Sequence, residues 1–235
     1  MMYVSRKTSV QIAVDVTDEG EALRIAGIIG SACRSGELPV DRVILEVGTP
    51  LIKACGVGII SKMRVAAPQV KLLADMKTAD VGRLEASLAF SKGADITTVL
   101  ALAPRSTIRA VMEAAVEMGR EVSVDLLGVD PDKVEHLLNE VLGTASEAGL
   151  PAERLIVSFH RGVDEGVATT ELFERLAGIV ESLRRREPGI RIAVAGGLTP
   201  EAKRAVEFFF EPDIYVVGRY ITAAPSVSRI LEFLT

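Results

Sequence analysis

Tryptophan is absent from this chain of 235 residues, aromatic residues make up 4% of it, and only two cysteines and two histidines occur. Cys33 and Cys55 do not form a C-x-x-C pair, so neither a disulfide framework nor a zinc site is expected. Reduced, structural cysteines suit a cytoplasmic protein. Missing too is any run of about 18 apolar residues, which argues against a transmembrane helix. The start, MMYVSRKTSVQ, lacks the apolar core of a signal peptide. Basic residues are not in excess, and the net charge is −5. That argues against nucleic acid or an acidic membrane as the main partner. No low-complexity tract or Pro/Gly/Ser-rich linker divides the chain, so residues 1–235 are expected to form a single domain.

What is present is an alternation of short β-rich runs with amphipathic helical stretches. The strands are expected at 9–16, 42–48, 71–77, 95–102, 121–128, 154–161, 191–197 and 213–220. Helical stretches lie at 18–35, 82–92, 105–119, 131–149, 170–187 and 200–210, with a weaker one after the second strand, where Gly56 and Gly58 interrupt it. Pro131 and Pro200 sit at helix starts, and Gly93, Gly119 and Gly149 follow helix ends. Eight such units in this length predict an α/β fold of the closed (β/α)8 TIM-barrel type. The alternative is an open doubly wound sheet, but no G-x-G-x-x-G follows the first strand.

Strand parity places the chemistry. Successive side chains of a strand face opposite ways. Gln11, Ala13 and Asp15 share a face opposite Ile12, Val14 and Val16. Ile44 and Glu46, Ser123 and Asp125, and Ser158 and His160 likewise oppose apolar neighbours. In LLADMKTAD, residues 72–80, Asp75 and Lys77 point one way and Ala74 and Met76 the other. Each polar face carries an ionisable residue near the C-terminal end of its strand, where barrels build their active sites. Asp15, Glu46, Asp75, Lys77, Asp125 and His160 therefore converge on one mouth. A polar plug of salt bridges is the alternative. Taken alone, D-x-K-x-x-D at 75–80 also suits an ion pair at a strand edge with Asp80 as a helix N-cap.

Glu46 and Asp75 offer hard oxygen ligands on neighbouring strands, which suits Mg²⁺ completed by water and substrate oxygens. His160, at a strand end, can act as a general acid or base. His136 falls on the helix 131–149 and reads as a surface histidine; Arg184, Arg185 and Arg186 read as a solvated helix end. AVAGGLTP at 193–200 and VVGRY at 216–220 put Gly197, Gly218 and Arg219 after strands seven and eight. Barrels often grip phosphate there, where glycine allows close backbone approach and a helix start favours an anion. A phosphorylated small substrate is expected.

The set AVDV at 13–16, LEVGTPLI at 45–52, LADMKTAD at 73–80, GADITTVL at 93–100, the His160 strand end, VAGGL at 194–198 and VVGRYIT at 216–222 resembles the orotidine-5′-phosphate decarboxylase suprafamily. The resemblance covers nearly the whole chain. It is to the branch of 3-hexulose-6-phosphate synthase and 3-keto-L-gulonate-6-phosphate decarboxylase. It implies Glu46 and Asp75 as Mg²⁺ ligands, Lys77 as the stabiliser of an enediolate, and Asp15 as an aspartate hydrogen-bonded within the site. Gly197, Gly218 and Arg219 resemble the phosphate grip. Asp80 resembles a residue given across a homodimer interface to the partner's site. The decarboxylase typically has Glu, Arg and Thr where this chain has Asp125, Val163 and Ala195, which look like the synthase. Arg161, directly after His160, looks more like the decarboxylase.

The activity this implies is an Mg²⁺-dependent aldol reaction, D-ribulose 5-phosphate plus formaldehyde giving D-arabino-hex-3-ulose 6-phosphate reversibly. His160 would be the base, assisted by Asp125. Decarboxylation of 3-keto-L-gulonate 6-phosphate is the first alternative. Orotidylate decarboxylation fits less well, because Glu46 looks like a metal ligand of the other branch. Ribulose-phosphate epimerisation needs two metal-binding histidines, and a non-catalytic sugar-phosphate sensor would not need the ionisable set.

Overall fold

The computed structural model describes residues 7–160 and 170–235. The strands are β1 (Ser9–Val14), β2 (Val43–Val47), β3 (Lys71–Thr78), β4 (Ile96–Leu100), β5 (Glu121–Asp125), β6 (Leu155–His160), β7 (Arg191–Ala195) and β8 (Ile214–Val217). All pair in parallel and in sequence order, and β1 meets β8 through Ser9 and Ile214 to close the barrel. Seven of the expected strands extend past the observed ones at their C-terminal ends, whereas β3 runs one residue further than expected. Asp15, Gly197, Gly218 and Arg219 lie beyond their strands, not on them. Arg161 and Val163 lie outside the described residues.

The helices are α1 (Glu19–Ser35), α2 (Thr49–Cys55), α3 (Gly58–Ala66), α4 (Gly82–Ser91), α5 (Arg105–Met118), α6 (Val134–Ala148), α7 (Thr170–Arg186), α8 (Pro200–Glu207), α9 (Arg219–Thr222) and α10 (Val227–Leu231). Local chemistry sets their ends. Asp18 caps α1 by accepting from the Glu21 N–H at 2.7 Å, and Gly36, with φ +82°, ends it in the left-handed region. The weak helix expected after β2 is two helices, because Gly56 at φ +73° terminates the first. Residues 131–133 form a 3₁₀ turn that precedes α6.

Two apolar layers follow from the alternation. Ile12, Val14, Leu45, Val47, Val122, Val124, Val157 and Phe159 face outward into the continuous layer beneath the helices. Ile44, Leu73, Ile96, Ile156, Ala193 and Ile214 fill the barrel interior. Charges close the N-terminal end. Asp95 accepts from Arg64, from Arg120 at 2.7 Å and from the Leu72 N–H at 2.9 Å, while Glu121 takes Lys71 at 2.6 Å and Arg191. A cleft of about 430 Å³ opens at that end, lined by Arg64, Lys71, Asp95 and Arg191 among others, opposite the expected site. Its cationic side chains are engaged in the ion pairs just described. No described helix is long and apolar enough to cross a membrane.

Candidate active site

The strand that organises the site departs from simple alternation. On β3, Ala74 pairs with Thr97 of β4, and the next pairing is Thr78 with Val99. Asp75, Met76 and Lys77 therefore stand opposite the single residue Thr98. Lys77 sits at φ +45°, a conformation a lysine adopts at a cost. A bulge of this kind re-aims side chains. Asp75 and Lys77 do reach the same place, as parity predicted, but through the bulge and not through a regular pleat. The Lys77 ammonium donates to Asp75 Oδ2 at 2.8 Å and to Asp125 Oδ2 at 3.0 Å.

From that ammonium a polar network spreads around the rim. Asp125 Oδ2 also meets His160 Nδ1 at 3.0 Å, and its Oδ1 accepts from the Leu127 N–H at 3.0 Å. Asp75 Oδ1 accepts from the Thr98 hydroxyl at 2.8 Å. The Thr49 hydroxyl lies 2.7 Å from both the Asp75 carbonyl and its Oδ2. Glu46 Oε2 accepts from Gln11 Nε2 at 2.7 Å. Glu46, Asp75 and Asp125 are nearly inaccessible to solvent, at 5%, 6% and 3% exposure.

Electrostatics sort these groups. Burial, followed by the charges of Asp75 and Asp15, pushes the Glu46 carboxyl well above the usual carboxylate range, against the Gln11 hydrogen bond and Lys77. Asp15 is exposed at the rim. Desolvation and Asp75 raise its carboxyl, opposed by Lys77 and His160. Burial would raise Asp125 as well, but its hydrogen bond and charge contact with His160, and then Lys77, hold it low. For Lys77, burial disfavours the ammonium, yet Asp75 and Asp125 outweigh it and keep the lysine above its ordinary range. Asp75 and Asp125 thus share the Lys77 ammonium, whereas among the described residues no cationic side chain is paired with Glu46 or Asp15.

Most of the expected residues come together: Glu46, Asp75, Lys77, Asp125 and His160 line one end of the barrel, with Asp15 just past β1. The hydrogen bond implied for Asp15 is not found among the described residues. Instead Asp15 packs on Gly48, where an added Cβ would lie 2.1 Å from its Oδ1 and 2.7 Å from the Val14 carbonyl, so only glycine fits. Gly197, at φ +62°, has open space around it; Gly218 starts α9, and Arg219 is exposed beside it. Asp80 is exposed and accepts from the next N–H, that of Val81, at 2.7 Å. Val81 and not Asp80 occupies the N-cap position of α4. His136 lies on α6 and is exposed, as expected. Among the described residues no group of three or more His, Cys, Asp and Glu side chains is arranged around a metal position.

Thr98, Thr49, Gln11 and Gly48 had no assigned role in the sequence. Parity could have placed Gln11 beside Glu46, since both are inward on adjacent strands. Thr98 could not be found this way, because its partners depend on the bulge.

A model of the orotidine 5′-phosphate decarboxylase / HUMPS family matches residues 8–232. The bifunctional enzyme Fae/Hps of Methanosarcina acetivorans is 37% identical over 194 residues, 82% of this chain and 45% of that protein. The same enzyme of Archaeoglobus fulgidus is 35% identical over 217 residues, 92% of this chain and 49% of that protein. The chain thus spans about half the length of the curated relatives it matches. A solved 3-hexulose-6-phosphate synthase is 30% identical with a TM-score of 0.75, covering 97% of this chain and 98% of that one. The matched span takes in every strand of the barrel and all the rim residues described, and the chain belongs to the orotidine 5′-phosphate decarboxylase / HUMPS family.

Proposed function

We propose that this chain is an aldehyde-lyase that joins D-ribulose 5-phosphate and formaldehyde, reversibly, into D-arabino-hex-3-ulose 6-phosphate. The observation that carries the reading is the continuous array His160–Asp125–Lys77–Asp75, with contacts of 2.8–3.0 Å. Asp125 accepts from His160 Nδ1–H, which leaves Nε2 as the basic nitrogen of the neutral ring. His160 Nε2 takes a proton from C1 of the sugar, and the electron pair moves onto the C2 oxygen. The Lys77 ammonium, kept charged by two carboxylates, stabilises the resulting enediolate. C1 then attacks the formaldehyde carbon as the C2 carbonyl re-forms, and the new alkoxide takes the proton held on His160 Nε2. Identity to the synthase structure and the Fae/Hps enzymes supports this reading over the decarboxylase. So does the short Asp125, and so does Ala195, the register partner of His160 on β7.

The chemistry of the donor set fits Mg²⁺. Glu46 and Asp75 are hard oxygen donors, and the strain among Glu46, Asp75 and Asp15 is of the kind a divalent cation relieves. Glu46 and Asp75 would hold the ion, with water and sugar oxygens for the rest. When bound, it supplies positive charge where the sugar oxygens become negative. Incubating the protein with both substrates, with and without Mg²⁺, tests the proposal; absence of hexulose phosphate in both reactions overturns it. Carbon dioxide release from 3-keto-L-gulonate 6-phosphate would favour the decarboxylase instead.

Gly197, Gly218 and Arg219 would hold the phosphate at the start of α9. Replacing Arg219 with alanine should lower kcat/KM for ribulose 5-phosphate by about 30-fold, mainly through KM, since one charge-assisted contact is lost. Steady-state kinetics reads this directly, and an unchanged KM would remove Arg219 from the grip.

The partner in this reading is a second copy of the chain. Directly after Asp80, Val81, Leu84 and Leu88 leave 56%, 60% and 37% of their surfaces exposed, and the two leucines are one helical turn apart. A dimer formed through that strip agrees with the role the resemblance implies for the neighbouring Asp80 in the partner's site. Leu84→Glu should sediment as a monomer and lose turnover, whereas Asp80→Ala should remain a dimer and lose turnover. A Leu84→Glu protein that stays dimeric in analytical ultracentrifugation would displace the interface from α4.

A further inference from the structure

Thr98 is buried on β4 and stands opposite the three residues Asp75, Met76 and Lys77. Its hydroxyl is used twice. As acceptor it takes the Lys77 backbone N–H at 2.8 Å, and as donor it gives its hydrogen to Asp75 Oδ1 at 2.8 Å. One hydroxyl has the lone pair and the hydrogen to do both. The first bond pins the backbone of a lysine at φ +45°; Val81 is the one other non-glycine residue with positive φ among those described. The second fixes the rotation of the carboxylate whose other oxygen receives that lysine's ammonium.

We infer that Thr98 is a positioning residue: it holds the β3 bulge so that the Lys77 ammonium stands between Asp75 and Asp125. The effect on turnover rests on the aldolase reading above; the effect on Lys77 geometry does not. A bulge is an extra length of strand without its ladder partners, so it needs another bond to select one conformation. Without the hydroxyl, the Lys77 N–H loses its acceptor and Asp75 Oδ1 its donor. The backbone then relaxes toward ordinary φ values and carries Nζ away from Asp125. Displacement of a charge by about 1 Å costs on the order of 10²-fold in rate, while substrate binding through a distant phosphate is spared.

The test compares Thr98→Val, which keeps the shape, with Thr98→Ser, which keeps the hydroxyl; Thr98→Ala is the second hydroxyl-free variant should valine prevent folding. Thr98→Val should lower kcat by about 30- to 100-fold with KM for ribulose 5-phosphate changed by less than about threefold. Thr98→Ser should recover most of the loss. Added to Lys77→Met, Thr98→Val should cost much less than it does in the wild type, because the lysine it positions is already gone and only its bond to Asp75 is left to lose. A hydroxyl-free variant with kcat near the wild type, or a valine effect that multiplies with Lys77→Met, overturns the inference. Crystal structures give the second readout: the variant should show Lys77 out of positive φ and Nζ off Asp125. Unchanged Lys77 geometry there overturns the inference whatever the activity. An inactive wild type together with a displaced Lys77 in the variant overturns the aldolase reading alone.

Discussion

Replacing Lys77 with methionine is expected to leave a folded barrel whose kcat is about 10³-fold lower, the scale of losing a preorganised charge in a dry site. Lys77 is the cation between Asp75 and Asp125. Those carboxylates hold it above the ordinary lysine range, so its neutral amine is not available to take a proton. Its contribution is therefore a fixed positive charge next to the developing enediolate. Methionine matches the length of the stem but leaves two buried carboxylates without that charge. Exchange of the C1 hydrogen of ribulose 5-phosphate in D₂O, followed by proton NMR without formaldehyde, isolates the step concerned. Exchange should fall along with turnover. If exchange persisted while turnover fell, Lys77 would belong to the addition step and not to enediolate formation.

Asp125→Asn is expected to be as damaging, about 10³- to 10⁴-fold in kcat, because it reverses the hydrogen-bond polarity of the relay. In the native site Asp125 accepts from the Lys77 ammonium, from His160 Nδ1 and from the Leu127 N–H. An asparagine that keeps its oxygen toward Leu127 turns its amide donors toward Lys77 and His160. Lys77 then loses an acceptor. His160 must accept at Nδ1 and carry its proton on Nε2, the nitrogen that should be the base. The variant should fold, since shape and volume are kept, and KM should move little. Near-normal C1 exchange in Asp125→Asn would show that His160 does not take the proton through Nε2.

The two variants probe different parts of what could be read from the chain. Parity along β1, β2, β5 and β6 was legible because a barrel strand has one face under helices and one face inside, and the sequence writes that as strict alternation. It put Glu46, Asp125 and His160 on inward faces without any knowledge of their partners. The strand ends were not legible. Asp15 and Gly218 continue the alternation of β1 and β8, yet the ladder stops before them, at Val14 and Val217. Where a strand stops depends on whether its neighbour still offers hydrogen bonds, which is a property of the pair.

Alone, the sequence determined the eightfold alternation, the inward faces, and hence the collection of carboxylates, a lysine and a histidine at one end of a barrel. These are consequences of local period and of burial, which each segment encodes for itself. Only the tertiary structure decided how that collection is wired. Thr98 meets Asp75 and Lys77 because β4 supplies one residue against three of β3. Asp125 joins Lys77 to His160 because β3, reaching past β4, and the neighbouring strands β5 and β6 bring residues distant in sequence within hydrogen-bond reach. Gly48 is required because the Val14 carbonyl and the Asp15 side chain, at the end of β1, come against it. Such contacts rest on register and on the close approach of distant segments, and neither leaves a period in the sequence.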